Sequence, residues 1–255
     1  MRKYRVQFVI SGDVFVSKSI SFNTDKELSL GNVFTSDINI EPDRHGFKIT
    51  STVQTEDRNR AVKVAILFIG KMLDILAMKI DSPLIVTQNS VFPNSPSNIV
   101  RAEIDKGEFE QCFEWSRTLN LYEPALSRAF NWYRKGLYSD EPFDKFLAFW
   151  NSISVTASKY HSPDERTKMG IKNQIWKSFF VLWGQQKDWP LIGHDSEWIN
   201  DNNRIRDQIA HGLIPIEVDY VEDVITRLDV LQQVTARFLK TWAYNKGYDW
   251  EGVIS

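Results

Sequence analysis

All nine tryptophans lie between Trp115 and Trp250, and the first hundred residues have none. Large indoles dominate the cores they enter, so this asymmetry predicts two differently built regions. The hydrophobic period changes with it. Tyr4 to Ile10, Val14 to Phe22, Val33 to Ile40 and Phe47 to Val53 are short runs rich in Val, Ile and Phe. Turn-forming Gly12-Asp13, Asn23-Thr24-Asp25 and Pro42-Asp43-Arg44 separate them, and they read as four strands. Val62, Ala65, Ile66, Ile69, Leu73, Leu76 and Ile80 then recur at steps of three and four, the stripe of a helix packed on one face, with Asp57 as its N-cap. Leu84 to Val91 is a candidate fifth strand. Phe92-Pro93-Asn94-Ser95-Pro96-Ser97-Asn98 is the most loop-like run and is the expected boundary.

From Glu103 the pattern is helical. Phe109 to Asn120, Glu123 to Leu137, Glu141 to Tyr160 and Pro163 to Gln186 each span three turns or more, with Pro142 and Pro163 marking helix starts. A Trp- and Asp-rich connector runs from Lys187 to Asn200. Asn202 or Asn203 then caps a short helix through His211, stopped by Gly212 and Pro215. A last long helix begins at Val218 or Asp219, with Val221, Val224, Ile225, Leu228, Leu231 and Phe238 on its buried side. The expectation is an α+β chain: a β-rich domain over 1–98, mainly an antiparallel sheet with one helix, and a bundle of about five main helices over 103–255.

Composition narrows the functional classes. With 31 Lys and Arg against 33 Asp and Glu, the net charge is −2, so no global field draws the chain to a polyanion and any such contact is a local site. A regulated or narrow range of substrates follows more naturally than unselective binding. Cys112 is the single cysteine, which excludes an intrachain disulfide and multi-cysteine metal motifs and suits the cytoplasm. The amino-terminal run MRKYRVQFVISGDVFV is interrupted by Gln7, Ser11 and Asp13 and reads as a first strand rather than a signal peptide. Ala61 to Ile80 carries Lys63, Lys71, Asp74 and Lys79, so it reads as a soluble helix and no membrane partner is expected.

The chain has no phosphate-cradling Gly loop, nucleophile elbow, His-Glu-x-x-His pair or dinucleotide fingerprint. His194-Asp195-x-Glu197 and His161-x-x-Asp164-Glu165 each offer a metal two or three ligands, but polar loops often contain such clusters, and neither a metal nor another cofactor is expected. The remaining constellation is Asn202-Asn203-Arg204-Ile205-Arg206-Asp207-Gln208-Ile209-Ala210-His211-Gly212. Histidine exchanges protons near neutral pH, and arginine holds two phosphoryl oxygens at once. Together they are the minimum for cleaving RNA without metal, by attack of the ribose 2′-hydroxyl on its own phosphate. A five-residue step turns an ideal helix by about 140°, so either the helix loosens before Gly212 or two chains share the site. The bland alternative pairs Arg206 with a carboxylate on a neighbouring helix and leaves His211 as a C-terminal cap. Trp132, Tyr133, Trp150, Trp176, Trp183 and Trp198 either stack on bases or fill the core, with Trp189 and Trp198 best placed for a ligand. Arg204 is either a phosphate contact or part of a solvated face.

Leu126-Ser127-Arg128-Ala129-Phe130-Asn131-Trp132-Tyr133-Arg134-Lys135-Gly136, then Lys145-Phe146-Leu147-Ala148-Phe149-Trp150-Asn151-Ser152-Ile153, and Arg204 through Gly212 resemble the ApeA-like branch of the HEPN superfamily, over about residues 120–245. That family is helical, usually dimeric, and common among prokaryotic toxins and phage-defence ribonucleases. Its motif is Arg, a polar residue, three to five others, then His, which Arg206, Asp207 and His211 match, with Gly212 where this branch often has Gly. Trp150-Asn151-Ser152-Ile153-Ser154 has Asn and Ser where the branch often has an acidic residue. The resemblance implies a metal-independent endoribonuclease with Arg206, Asp207 and His211 catalytic and the two copies' motifs meeting at a homodimer interface. Arg204, Asn203 and Trp198 are the candidate RNA contacts, and a regulatory protein or antitoxin is a possible partner. The alternative is a non-catalytic binding or regulatory module of the same family.

Overall fold

The structure is a computed structural model that describes residues 2–27, 33–87, 101–213 and 218–250. The chain is α+β and divides into two compact units, Met1–Pro124 and Ala125–Ser255. In the first, β1 (Arg2–Gly12), β2 (Val14–Phe15), β3 (Ile20–Glu27), β4 (Val33–Asp43) and β5 (Gly46–Thr55) precede α1 (Arg58–Ile80), β6 (Leu84–Thr87), β7 (Ala102–Glu103) and α2 (Lys106–Tyr122). The main sheet has the order β3-β4-β5-β1-β6, and each neighbouring pair is antiparallel. Its register follows from strict alternation. Phe47, Ile49, Ser51 and Val53 of β5 are buried, while Lys48, Thr50 and Thr52 between them are partly exposed. Ile10 lies opposite Phe47 and Phe8 opposite Ile49, which puts the apolar side chains of both strands on one face.

That face is covered by α1 and α2. Asp57 caps α1 as expected, its Oδ1 accepting from the Arg60 N–H at 2.8 Å. Of the expected stripe Ala65, Ile69, Leu73 and Leu76 are buried, whereas Ile66 is 39% exposed. Phe68, Met72 and Ile75 complete the buried side instead. Two expectations need correction. The run Val14 to Phe22 is not one strand: exposed Ser17, Lys18 and Ser19 interrupt it. Val14 and Phe15 instead pair in parallel with Ala102 and Glu103. The helix α2, assigned from sequence to the helical region, belongs to the sheet unit. Its Phe109 ring sits 5.1 Å from Phe47, and its Phe113 ring 5.8 Å from Phe22 and 5.0 Å from Phe68. The division therefore falls at Pro124, and the loop-like run Phe92 to Asn98 lies outside the described residues, as does the end of the strand expected over Leu84 to Val91.

The second unit is helical as expected but without α2, and among the described residues its α-helices are α3 (Pro124–Tyr138), α4 (Pro142–Tyr160), α5 (Ile171–Trp183), α6 (Trp198–Ala210) and α7 (Val218–Asn245). Its centre is α4, which packs on α5, α6 and α7 and buries Phe146, Phe149, Trp150 and Ile153 completely. Pro142 opens α4, and the Glu141 carboxylate accepts from the Phe143 and Asp144 N–H groups at 2.9 and 3.2 Å. The helix expected over Pro163 to Gln186 is a correction. Asp164 Oδ1 accepts from the Thr167 N–H at 2.9 Å, and the Thr167 hydroxyl donates back to the Asp164 carbonyl at 2.8 Å. This local pairing makes a turn, Gly170 at φ 123° breaks direction, and the helix begins only at Ile171. A hydrogen bond from Lys177 holds the Asp164 carboxyl below the usual carboxylate range. Among the described residues no helix is long and apolar enough to cross a membrane.

Two outcomes follow from this packing. A Cβ on Gly136 of α3 would stand 2.5 Å from Cε1 of the fully buried Phe149 ring. Gly136→Ala is therefore expected to destabilise the protein by about 1–3 kcal/mol in chemical denaturation, against the helix preference of alanine. Burial pushes the Cys112 thiol up to about 12. At pH 8 it should stay unmodified by a thiol reagent in the native protein and react once denaturant is added.

Candidate functional site

The helix α6 is set by its first residue. Trp198 is 7% exposed, and its indole packs 5.8 Å from Trp150 of α4 and 6.2 Å from Phe179 of α5. Ile199, Asn202 and Ile205 follow on the same inward side, and the Asn202 amide donates to the Trp198 carbonyl at 2.7 Å. The expected cap at Asn202 or Asn203 is thus a turn too late. The chain turns at Asp195, whose carboxylate accepts from the Glu197 N–H at 3.0 Å, and burial of Trp198 starts the helix without a side-chain cap.

The other end is as expected and closed by hydrogen bonds. The Gly212 N–H donates to the Ile209 carbonyl at 3.1 Å, and the Leu213 N–H reaches back to the Gln208 carbonyl at 2.9 Å. With Gly212 at φ 64°, this pair of bonds is a Schellman closure, and glycine is there because the left-handed backbone disfavours a Cβ. His211 is the C-cap residue and exposed, its N–H bonded to the Asp207 carbonyl at 3.1 Å. The helix does not loosen before Gly212. Arg206 and His211 consequently remain about 140° apart around the axis of one chain.

Arg206 and Asp207 form a pair, Nη1 to Oδ1 at 2.8 Å, with side chains 36% and 48% exposed. Arg206 meets a carboxylate of its own helix rather than of a neighbouring one. Asp207 Oδ2 also accepts from the Asn203 amide at 3.0 Å, so one donor from the turn above orients the carboxylate and it in turn orients the adjacent guanidinium. One N–H of the Asn203 amide is engaged in this network, while its buried Oδ1 has no hydrogen-bond partner among the described residues. Arg204 is exposed and pairs with Asp201 at 3.2 Å. Helical spacing puts Arg204, Gln208 and His211 on one stripe, at i, i+4 and i+7, outside the buried set of α6.

The two aromatic residues best placed from sequence for a ligand are core, whereas Trp132, Trp176 and Trp183 are half-buried. Trp198 is held as described, and Trp189 is 4% exposed with its Nε1 donating to the Gly184 carbonyl at 3.1 Å. Neither ring offers a face to a ligand. The polar clusters around the other histidines are also absorbed locally. His161 Nδ1 lies 2.9 Å from the Ala157 carbonyl, Asp195 closes the turn before α6, and Glu197 accepts from Asn200 at 2.7 Å. Among the described residues no group of three or more His, Cys, Asp or Glu side chains gathers as a metal would require. The expected inner face of α7 is half right: Val224, Leu231 and Phe238 are buried, Val221 and Leu228 are half-buried, and Ile225 is 49% exposed. The first turns of α7 bury Val224 beside α6, and most of the buried residues lie from Leu231 onward.

One feature was not singled out from sequence. Arg204, Ile205 and Gln208 of α6 and Tyr220, Asp223 and Val224 of α7 line a cleft of about 250 Å3. The i, i+4 spacing of Arg204 and Gln208 marks the α6 wall, but nothing in the sequence registers α7 against it. Comparison of the chain with models of known protein families, with curated proteins and with solved structures finds no match.

The site separates shape from chemistry in a way that denaturation can test. Trp198→Ala should cost about 3–5 kcal/mol, as a core truncation does. Arg206→Ala and Asp207→Ala, taken from a half-solvated pair, should each cost less than about 1 kcal/mol in the same urea titration.

Proposed function

We propose that the protein is a metal-independent endoribonuclease of toxin or phage-defence type, in which Arg206 of one copy and His211 of a second act on one phosphodiester. The observation that carries this reading is the end of α6, where an exposed His211 follows a braced Arg206 on a helix that keeps the two apart within a chain. Two copies brought together at this helix end supply both groups to a shared cleft. A second copy is supported by α7. Val218 is 71% and Ile225 49% exposed, and with the half-buried Val221 and Leu228 they step by three, four and three along its first turns.

The chemistry then runs on this chain's own side chains. A His211 imidazole takes the proton of the ribose 2′-hydroxyl as its oxygen bonds to phosphorus. The bond from phosphorus to the 5′-oxygen breaks, and an imidazolium returns a proton to that leaving oxygen. The products are a 2′,3′-cyclic phosphate and a 5′-hydroxyl. Arg206 offsets the charge that grows on the phosphoryl oxygens, for which it exchanges the Asp207 carboxylate or shares itself with it. No cofactor enters these steps. The resemblance to the ApeA-like branch of the HEPN superfamily, carried by segments of α3, α4 and α6, points the same way, toward a cytoplasmic enzyme restrained by a trigger or an antitoxin-like protein.

A second reading, a non-catalytic module of the same family, draws on the Arg206–Asp207 pair, which satisfies the arginine without any substrate. Cleavage assays separate the two. Incubated with RNA in EDTA, the wild type should release fragments ending in 2′,3′-cyclic phosphate. Arg206→Ala and His211→Ala should each lower the rate by about 100-fold or more. Co-expressed as a mixed oligomer, the two variants should recover activity, since one composite site keeps both groups. No cleavage under any condition favours the module, and cleavage by His211→Ala at the wild-type rate overturns the mechanism.

A further inference from the structure

The cleft between α6 and α7 joins an aliphatic floor to a polar rim. Its floor is aliphatic, with Ile205 4% and Val224 1% exposed, and Tyr220 at 39% exposed lines one wall. At about 250 Å3 it lies below the roughly 300–1,000 Å3 of pockets that enclose drug-sized ligands, which suits one planar base rather than a whole nucleotide chain. The rim carries opposite hydrogen-bonding characters. Arg204 only donates, and its contact with Asp201 uses Nη2 alone. Asp223 only accepts: Arg227 Nε binds its Oδ1 at 3.2 Å, and its Oδ2 takes no hydrogen bond among the described residues. The Gln208 amide, also on the rim, makes none among the described residues either and can donate or accept.

We infer that this cleft is a guanine subsite for RNA. Guanine is the base that presents two adjacent N–H donors, N1–H and N2–H, to a carboxylate, while its O6 and N7 accept from a guanidinium. Adenine meets Asp223 with an acceptor at N1, and the pyrimidines offer it no pair of adjacent donors. Stacking on Tyr220 adds a contact that all bases share. The slot also lies on the stripe of His211, which follows Gln208 by one turn of α6, so a base seated there leads its phosphate along the helix toward the imidazole. The substrate class rests on the ribonuclease reading; the recognition of guanine does not.

Titration of the full-length protein with GMP, AMP, CMP and UMP at millimolar concentrations, followed by ligand-observed NMR, tests the subsite directly. GMP should bind at least about tenfold more tightly than CMP or AMP. Asp223→Asn should reduce that preference below about twofold, and Tyr220→Ala should weaken every nucleotide by about fivefold or more, both with unchanged thermal unfolding. Equal binding of all four, no binding, or a preference untouched by Asp223→Asn overturns the subsite. Mapping of cleavage ends distinguishes the two readings. RNA cut without GMP preference removes the subsite and leaves the ribonuclease, whereas selective GMP binding with uncut RNA leaves the subsite and removes the ribonuclease.

Discussion

The indole of Trp198 is wedged between Trp150 and Phe179, and the bearing of α6 depends on that contact. Three helices meet at this point, because Trp150 belongs to α4 and Phe179 to α5. A helix of 13 residues is marginal by itself in water, so α6 owes its existence and its rotation to the burial of Trp198, Ile199, Asn202 and Ile205. Once that side faces the bundle, Arg204 and Gln208 fall at the edge of the cleft with α7, and His211 lies exposed at the helix end. Arg206 falls near the boundary, which is why its guanidinium is only partly exposed and bends to Asp207.

The polar network on α6 works at a smaller scale than the aromatic one. Asn203, Asp207 and Arg206 lie within a single turn and hold each other by hydrogen bonds of 2.8–3.0 Å. Pairs this exposed contribute little to folding, and their effect is to restrict which rotamers the arginine adopts. The same division holds elsewhere in the unit, where Glu141 begins α4, Asp164 closes the turn ahead of α5, and the rings of α5 and α7 pack on each other.

Much of this was legible in the sequence where the cause is local. Alternation in β1 and β5, the Asp57 cap, Pro142 at the start of α4 and Gly212 after α6 all act within a few residues, and the structure has each of them. What escaped depends on distant partners. The allegiance of α2 is decided by Phe109 meeting Phe47 and Phe113 meeting Phe22, contacts that no periodicity encodes. Trp198 sits in a polar stretch and looks available, yet the helix starts there because its ring has a hole to fill. In the site, Arg206, Asp207 and His211 were visible as a spacing, and so was the angle between them. The α7 wall of the cleft was not, since Tyr220 and Asp223 join Arg204 only through the fold.

The closed end of α6 has a further consequence for anything that touches His211. Helix termini ordinarily fray, and a ligand that settles on one must first freeze it. Here the carbonyls of Asp207, Gln208 and Ile209 already have their donors. The entropy of immobilising that backbone is therefore lost during folding and not during encounter, which leaves only the imidazole's own torsions to be arrested when a guest arrives.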